Sequence, residues 1–303
     1  MAPSVPAHRH FLTKLFFSPD EPRLRAGWRL LVQTILLLLI IVTLSFPVGF
    51  LTSILFKNIS DQLLMLSSEL ILFFAVSISV FLSRRAMDHR AISSLGLELS
   101  FKVIPDLTVG FLISFLSLVL VFVLEVSFGW IQTDSFAWQT QSVISVISGF
   151  ILALLIFILV GWNEELLSRG YHLQSLSSGF NLPVGVIISS AVFGVLHLAN
   201  PNANWISVIG IFLAGMFLAF GYVRTHKLWL SIGLHIGWNF TEGVLLGFPV
   251  SGLNGFQLIK TTSSGPELWT GGAFGPEAGL IILPALICGV ILIYLYTRSR
   301  FLK

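Results

Sequence analysis

Apolar runs recur along this chain from Gly27 to the C-terminus, separated by short polar segments. Crossing the hydrocarbon of a bilayer takes roughly 20 residues of helix at ~1.5 Å rise each. Eight runs approach or exceed that length, near Gly27–Phe56, Gln62–Leu82, Ile104–Trp130, Val143–Trp162, Leu182–Leu198, Ile206–Val223, Leu228–Gly247 and Ala278–Tyr296. The pattern predicts an all-α polytopic membrane bundle of eight transmembrane helices. The first run is long and contains Pro47, which predicts a kink or an interfacial extension.

Three polar stretches punctuate the runs. Arg84–Lys102 alternates basic and apolar residues and reads as a cytoplasmic loop at the headgroup surface. Gly170–Asn181 reads as an interfacial turn between the fourth and fifth spans, and Phe248–Glu277, rich in Gly, Ser and Pro, as a long outer loop. The expected organisation is a tail over 1–26, three helices over 27–142, a core over 143–247, and a loop with the last helix over 248–303. The tail is polar and the first apolar run starts late, so it reads as an uncleaved span rather than a signal peptide. No repeat of 20 to 50 residues and no inverted pair of broken spans is visible, which lowers the prospect of a transporter fold.

Composition agrees. Of 303 residues, 55% are hydrophobic and 10% charged, with a mean hydropathy of +0.92, which excludes a water-soluble domain. The pI near 9.2 suggests a nucleic-acid partner until the basic residues are assigned to sides. With the N-terminus inside, 15 of 17 lie on internal segments, and only Lys57 and Lys260 lie outside. That bias predicts a multi-pass protein with both termini cytoplasmic, its basic residues serving the lipid bilayer rather than nucleic acid. The single cysteine, Cys288, allows no intrachain disulfide and reads as packing.

An ionisable group at bilayer depth is costly unless paired, so each is a functional candidate. Glu69, Glu125, Glu164, Glu165, Arg169, His197, His235 and Glu242 qualify, with Asn239 as a buried amide. Glu165 and Arg169 are four apart and can pair on one helix face. Glu164 is rotated about 100° from Glu165, so the two carboxylates are expected to point at different places, leaving Glu164 free as a base or ligand. His197 sits in an apolar helix, with Phe193 one turn earlier to shield it from lipid. His235, Asn239 and Glu242 share one face, and Gly233 and Gly237 would admit a close neighbouring helix. Each pattern alone also reads as structure: interfacial charges, a core histidine, or a hydrogen-bonded seam. Together they supply a base for water, a group to steer it, and donors for an oxyanion. Glu164, His197 and His235 also resemble a site for a divalent metal such as zinc, and the spacing does not separate the two schemes.

Glu164-Glu165-xxx-Arg169, Phe193-xxx-His197 and His235-xxx-Asn239 resemble the three signature motifs of the CPBP intramembrane proteases. That family groups type II CAAX prenyl endopeptidases with bacterial bacteriocin-processing and self-immunity (Abi) proteins. The resemblance covers roughly Val143 to Gly247 and leaves the first three spans and the last unassigned. It implies an endopeptidase acting on a peptide or protein substrate, including lipid-modified ones; the compact chain and short loops read as those of a bacterial plasma-membrane protein. Glu164 would activate water with His197 as partner. His235 and Asn239 would stabilise the oxyanion, with Glu165 and Arg169 in support. Both metal-dependent and metal-free glutamate mechanisms are ascribed to the family. The alternatives are a non-catalytic immunity or adaptor protein on the same scaffold, and, ranked last, a proton-coupled transporter.

The depths conflict in this reading. Glu164 and His235 fall near the cytoplasmic face, whereas His197 lies roughly 22 Å from it at helical rise. They converge only if the fourth span ends deep in the membrane or the fifth starts outside it.

Overall fold

The computed structural model describes residues 15–18, 23–55 and 59–298. Most of the N-terminal tail, and the charge assignments of Arg9, Lys14, Lys57, Arg300 and Lys303, lie outside the described residues. The fold is an all-α polytopic membrane bundle. Among the described residues six helices are long and apolar enough to cross a membrane: α1 (Ala26–Ile54), α2 (Asp61–Ala86), α3 (Val103–Ser127), α4 (Val143–Gly179), α5 (Leu182–Ala199) and α6 (Trp205–Thr225). Two shorter helices follow: α7, which runs over Leu228–Asn239 and continues as a π-helix over Phe240–Leu245, and α8 (Ile282–Thr297). Side-chain caps mark several starts. Asn181 accepts from the Val184 backbone N–H at 3.0 Å, and Asn204 from those of Ile206 and Ser207 at 2.8 and 3.0 Å.

α7 is the axis of the bundle. From Leu228 to Asn239 nearly every residue is buried, so this helix faces protein on all sides. Its glycines explain how. A Cβ on Gly233 would stand 2.3 Å from the Leu107 carbonyl oxygen, and one on Gly237 would stand 2.6 Å from Phe111 Cα. These are the close approaches expected of them, and they seat α7 against α3. Leu118, Phe217, Leu230, Leu234, Trp238 and Leu286 form one core beside α7. Val80, Leu166, Tyr171, Leu228 and Ile232 form another.

Three expectations are corrected. Gly170–Asn181 is not a turn: helix continues to Gly179, and the chain reverses only at Phe180 and Asn181. No proline interrupts the stretch after Trp162, and its apolar side chains Leu166, Tyr171 and Leu173 bury against the bundle, which carries the helix on. Arg84–Lys102 is not a simple surface loop. Arg84 and Asp88 are buried, and the Asp88 carboxylate accepts from Arg29 and from Arg84 at 3.2 Å, with Arg23 at 3.7 Å. This charge cluster ties the base of α1 to α2, and Arg29 also donates to Ser178 on α4 at 2.7 Å. Phe248–Glu277 contains a strand, β2 (Ile259–Ser263), paired antiparallel with β1 (Ile131–Phe136) after α3. The two-stranded ribbon covers the end of the bundle opposite that cluster. Pro47 lies inside α1, which remains one helix.

Candidate active site

The extension of α4 removes the depth conflict. Glu164 lies 15 residues before Gly179, and His197 lies 15 residues after Leu182. The two helices form an antiparallel hairpin with its turn at Phe180–Asn181, so equal lengths of helix return His197 to the level of Glu164. His197 sits at the end of α5, where the helix tightens into a 3-10 turn over His197–Ala199.

Glu164, His197, His235 and Asn239 all line one cavity of about 340 Å³. Ala153, Ile156, Phe157, Val160 and Ala214 give it apolar walls. Arg169, fully buried, donates from Nη1 to Glu165 Oε1 at 2.7 Å and from Nη2 to the Gly215 carbonyl at 2.8 Å. The same Glu165 oxygen lies 2.8 Å from His235 Nδ1. A carboxylate held by an arginine accepts hydrogen bonds, so Nδ1 carries the proton and donates it. That turns His235 Nε2 towards Glu164, whose Oε2 stands 3.7 Å away. The two carboxylates therefore reach one imidazole from its two nitrogens, although successive positions on a helix diverge. The backbone helps: after Glu165 the helix winds as a π-helix over Leu166–Leu173. α7 does the same directly after Asn239. Such wider turns cluster at functional sites; here the first begins inside its motif and carries Arg169, and the second directly follows Asn239.

His197 Nδ1 donates to the Phe193 carbonyl at 2.8 Å, which leaves Nε2 with its lone pair. Phe193 is buried at the centre of the site, 4.7 Å from the His197 ring, 6.2 Å from the His235 ring, and 4.5 Å beneath the Arg169 guanidinium. A cation over an aromatic face fixes both groups.

Glu69 lines the same cavity from α2. Asn163, the neighbour of Glu164, donates to Glu69 Oε2 at 2.9 Å and to its carbonyl at 3.2 Å, clamping α2 against α4. Glu242 is fully buried but does not line the cavity; it faces Glu277 and Glu125 instead of His235. Glu277, Ser251 and Asn200 also line the cavity and were missed in the sequence. The sequence shows only the glycines before Glu277; in the structure Gly271, Gly272 and Gly275 all take positive φ, the mark of a built loop rather than a loose one. Among the described residues no group of three His, Cys, Asp or Glu side chains stands in a metal-holding arrangement.

The chain is thus a multi-pass helical membrane protein with a polar, carboxylate- and histidine-bearing chamber inside its bundle. Residues 145–241 match the family described as type II CAAX prenyl endopeptidase Rce1-like, in agreement with the resemblance read from the motifs. The match contains Glu164, Glu165, Arg169, His197, His235 and Asn239, and excludes Glu69 and Glu277. A protein of Bacillus subtilis (strain 168), named "Uncharacterized protein YyaK", is 27% identical over 199 residues, which are 63% of this chain and 62% of that protein.

Proposed function

We propose that this chamber is the active site of a membrane-embedded endopeptidase that hydrolyses a peptide bond without a metal. The observation that carries it is the convergence of Glu164, His197, His235 and Asn239 on one cavity, with His235 oriented by the Arg169-held Glu165. Glu164 is the one carboxylate of the adjacent pair not engaged by arginine. Its side chain is 35% exposed, and its Oε2 has no hydrogen-bond partner.

Glu164 takes a proton from a water that His197 Nε2 orients, and the water oxygen attacks the peptide carbonyl carbon. The resulting oxyanion accepts from Asn239 Nδ2 and from His235 Nε2–H, since a protonated imidazole is stabilised by Glu165 on its other nitrogen. Collapse breaks the C–N bond, and the proton on Glu164 passes to the leaving amine. The products are a carboxylic acid and an amine, which ionise by passing the acid's proton to the amine, and Glu164 is regenerated. The apolar walls exclude bulk water and suit a membrane-borne peptide or a lipid-modified one. The charge split of the sequence and the Bacillus relative support a bacterial plasma membrane with both termini inside.

Cleavage of a reporter peptide library by the purified protein tests the reading. Glu164→Gln is expected to lower cleavage by about 10²- to 10⁴-fold, the usual contribution of a positioned base, with folding and insertion intact. A chelator is expected to change nothing. Undiminished cleavage by the variant would sink the proposal, and loss of wild-type cleavage in chelator would replace the metal-free scheme.

A further inference from the structure

Glu277 stands apart from the three motifs and beyond the matched family segment, yet its carboxylate is in the cavity wall. It is only 4% exposed, so the fold has placed a costly group there deliberately. The loop that brings it in is tightly built. A Cβ on Gly210 of α6 would lie 1.7 Å from the Glu277 carbonyl oxygen, so α6 admits the loop only as glycine. Oε1 accepts from Trp238 Nε1 at 3.1 Å, and Oε2 accepts from Ser251 Oγ at 2.5 Å. Ser251 is itself held by Asn200, which donates to its carbonyl at 3.0 Å. Trp238 immediately precedes Asn239, so the carboxylate is braced against the site helix.

What the carboxylate lacks is a cation. Among the described residues the cavity is lined by no lysine or arginine. The titratable groups around Glu277 are His197, from the end of α5, and Glu242, from α7, with Glu125 of α3 acting on Glu242. Burial pushes the Glu277 carboxyl above its ordinary value, as expected of a carboxylate that the protein does not neutralise. Glu164 faces His235 Nε2 at 3.7 Å, and Glu69 is held by Asn163. Trp238 and Ser251 leave acceptor capacity on Glu277, since an ionised carboxylate offers about four acceptor positions.

We propose that Glu277 is a specificity-determining residue, which accepts a basic side chain, lysine or arginine, of an otherwise apolar peptide segment bound in the chamber. The segment meets apolar walls along α4 and α6, and its cation meets the one carboxylate fixed at the loop end. An acidic side chain at the same place meets an uncompensated like charge. This inference rests on the endopeptidase reading for the identity of the ligand as a peptide, but binding and hydrolysis are separable.

The test uses capped, otherwise apolar peptides that carry a single lysine, norleucine or glutamate. Affinities are measured for Glu164→Gln protein in a neutral detergent, where no turnover intervenes. The lysine peptide is expected to bind on the order of tenfold tighter than the norleucine peptide, the scale of one charged hydrogen bond, with the glutamate peptide weakest. Adding Glu277→Gln is expected to bring the lysine-to-norleucine ratio near one, whereas adding Glu69→Gln leaves the ratio in place. Equal affinities for lysine and norleucine, a glutamate peptide as tight as the lysine one, or a ratio lost in Glu69→Gln rather than Glu277→Gln would each overturn the proposal. The first two outcomes need no change at Glu277, so a misfolded variant cannot hide them. Preferential binding of lysine by a wild-type protein that cleaves none of the peptides would instead overturn the hydrolase and leave Glu277 as the recognition group.

Discussion

α1 and α7 are both apolar helices, and they occupy opposite situations. None of the 18 residues in the most apolar stretch of α1 is buried, and Val42, Phe46 and Phe50 are among its exposed side chains. α7 is buried on every side and carries His235 and Asn239. Apolarity serves lipid in one case and packing in the other. The small residues tell them apart: a Cβ on Gly49 of α1 would meet nothing within 4 Å, while Gly233 and Gly237 of α7 touch the α3 backbone. A membrane chamber therefore rests on a helix that never sees the membrane, and polar groups collect there because protein can pair them.

The largest effect is expected from breaking that contrast at its tightest point. Gly237→Val places side-chain atoms where Phe111 backbone already lies, 2.6 Å from the position of the Cβ alone. Neither helix can retreat without opening the α3–α7 seam, so the variant is expected to lose the folded state, as read by aggregation on gel filtration in detergent. Gly49→Val, in α1, is expected to elute as the wild type does. Similar behaviour of the two variants would mean that α1 is packed in the membrane against something else, and the comparison would have to be redrawn.

The same contrast sets what was legible in the sequence. The ends of α2, α3 and α6 fall within a few residues of the expected positions, because hydrophobic length is a local property. The motif residues also converge, since spacings of three and four fix a helix face. The extension of α4 to Gly179 was not legible, because Ser168, Arg169, Gly170 and His172 look like an interface until their burial partners are known. Pairing of β1 with β2 joins segments more than 120 residues apart, such as Ile131 with Ser263, and neither strand has an alternating pattern to announce it. Glu69 was noticed as an intramembrane charge, but its partner Asn163 was not. Glu277 was taken for loop, because only the fold brings the loop against Trp238.

A second, smaller effect concerns charge inside the bundle. Arg169 is 1% exposed, bridges Glu165 to the Gly215 carbonyl, and stacks on Phe193. Arg169→Leu would leave Glu165 without its arginine, with only the His235 imidazole to meet it. Removing one partner of a buried pair costs about 3–5 kcal/mol, so the variant is expected to melt well below the wild type in detergent. Arg169→Lys keeps the charge but not the fork that reaches two acceptors at once, and is expected to lie between them. An unchanged melting temperature in the leucine variant would show that Glu165 does not need its arginine, and the orientation argued for His235 would lose its support.

Lys227 and Glu98 form the contrasting ion pair, the same chemistry on the outside of the bundle. Their side chains are 33% and 57% exposed, so water solvates both before and after the pair breaks. Exposed pairs of this kind contribute about 0–1 kcal/mol, and less in salt. Lys227 also precedes α7, but it caps the helix with no side-chain bond, and the Leu228 N–H is already taken by the Gly96 carbonyl at 3.0 Å. The backbone, not the charge, joins this end of α7 to the loop after α2. Lys227→Ala is therefore expected to shift the melting temperature by a degree or two at most, and the shift is expected to vanish in 0.5 M salt, a concentration of about three times the physiological ionic strength of roughly 0.15 M. A loss as large as that of Arg169→Leu, or one that salt leaves untouched, would mean that the pair is shielded from water and that the base of α7 is as enclosed as its middle.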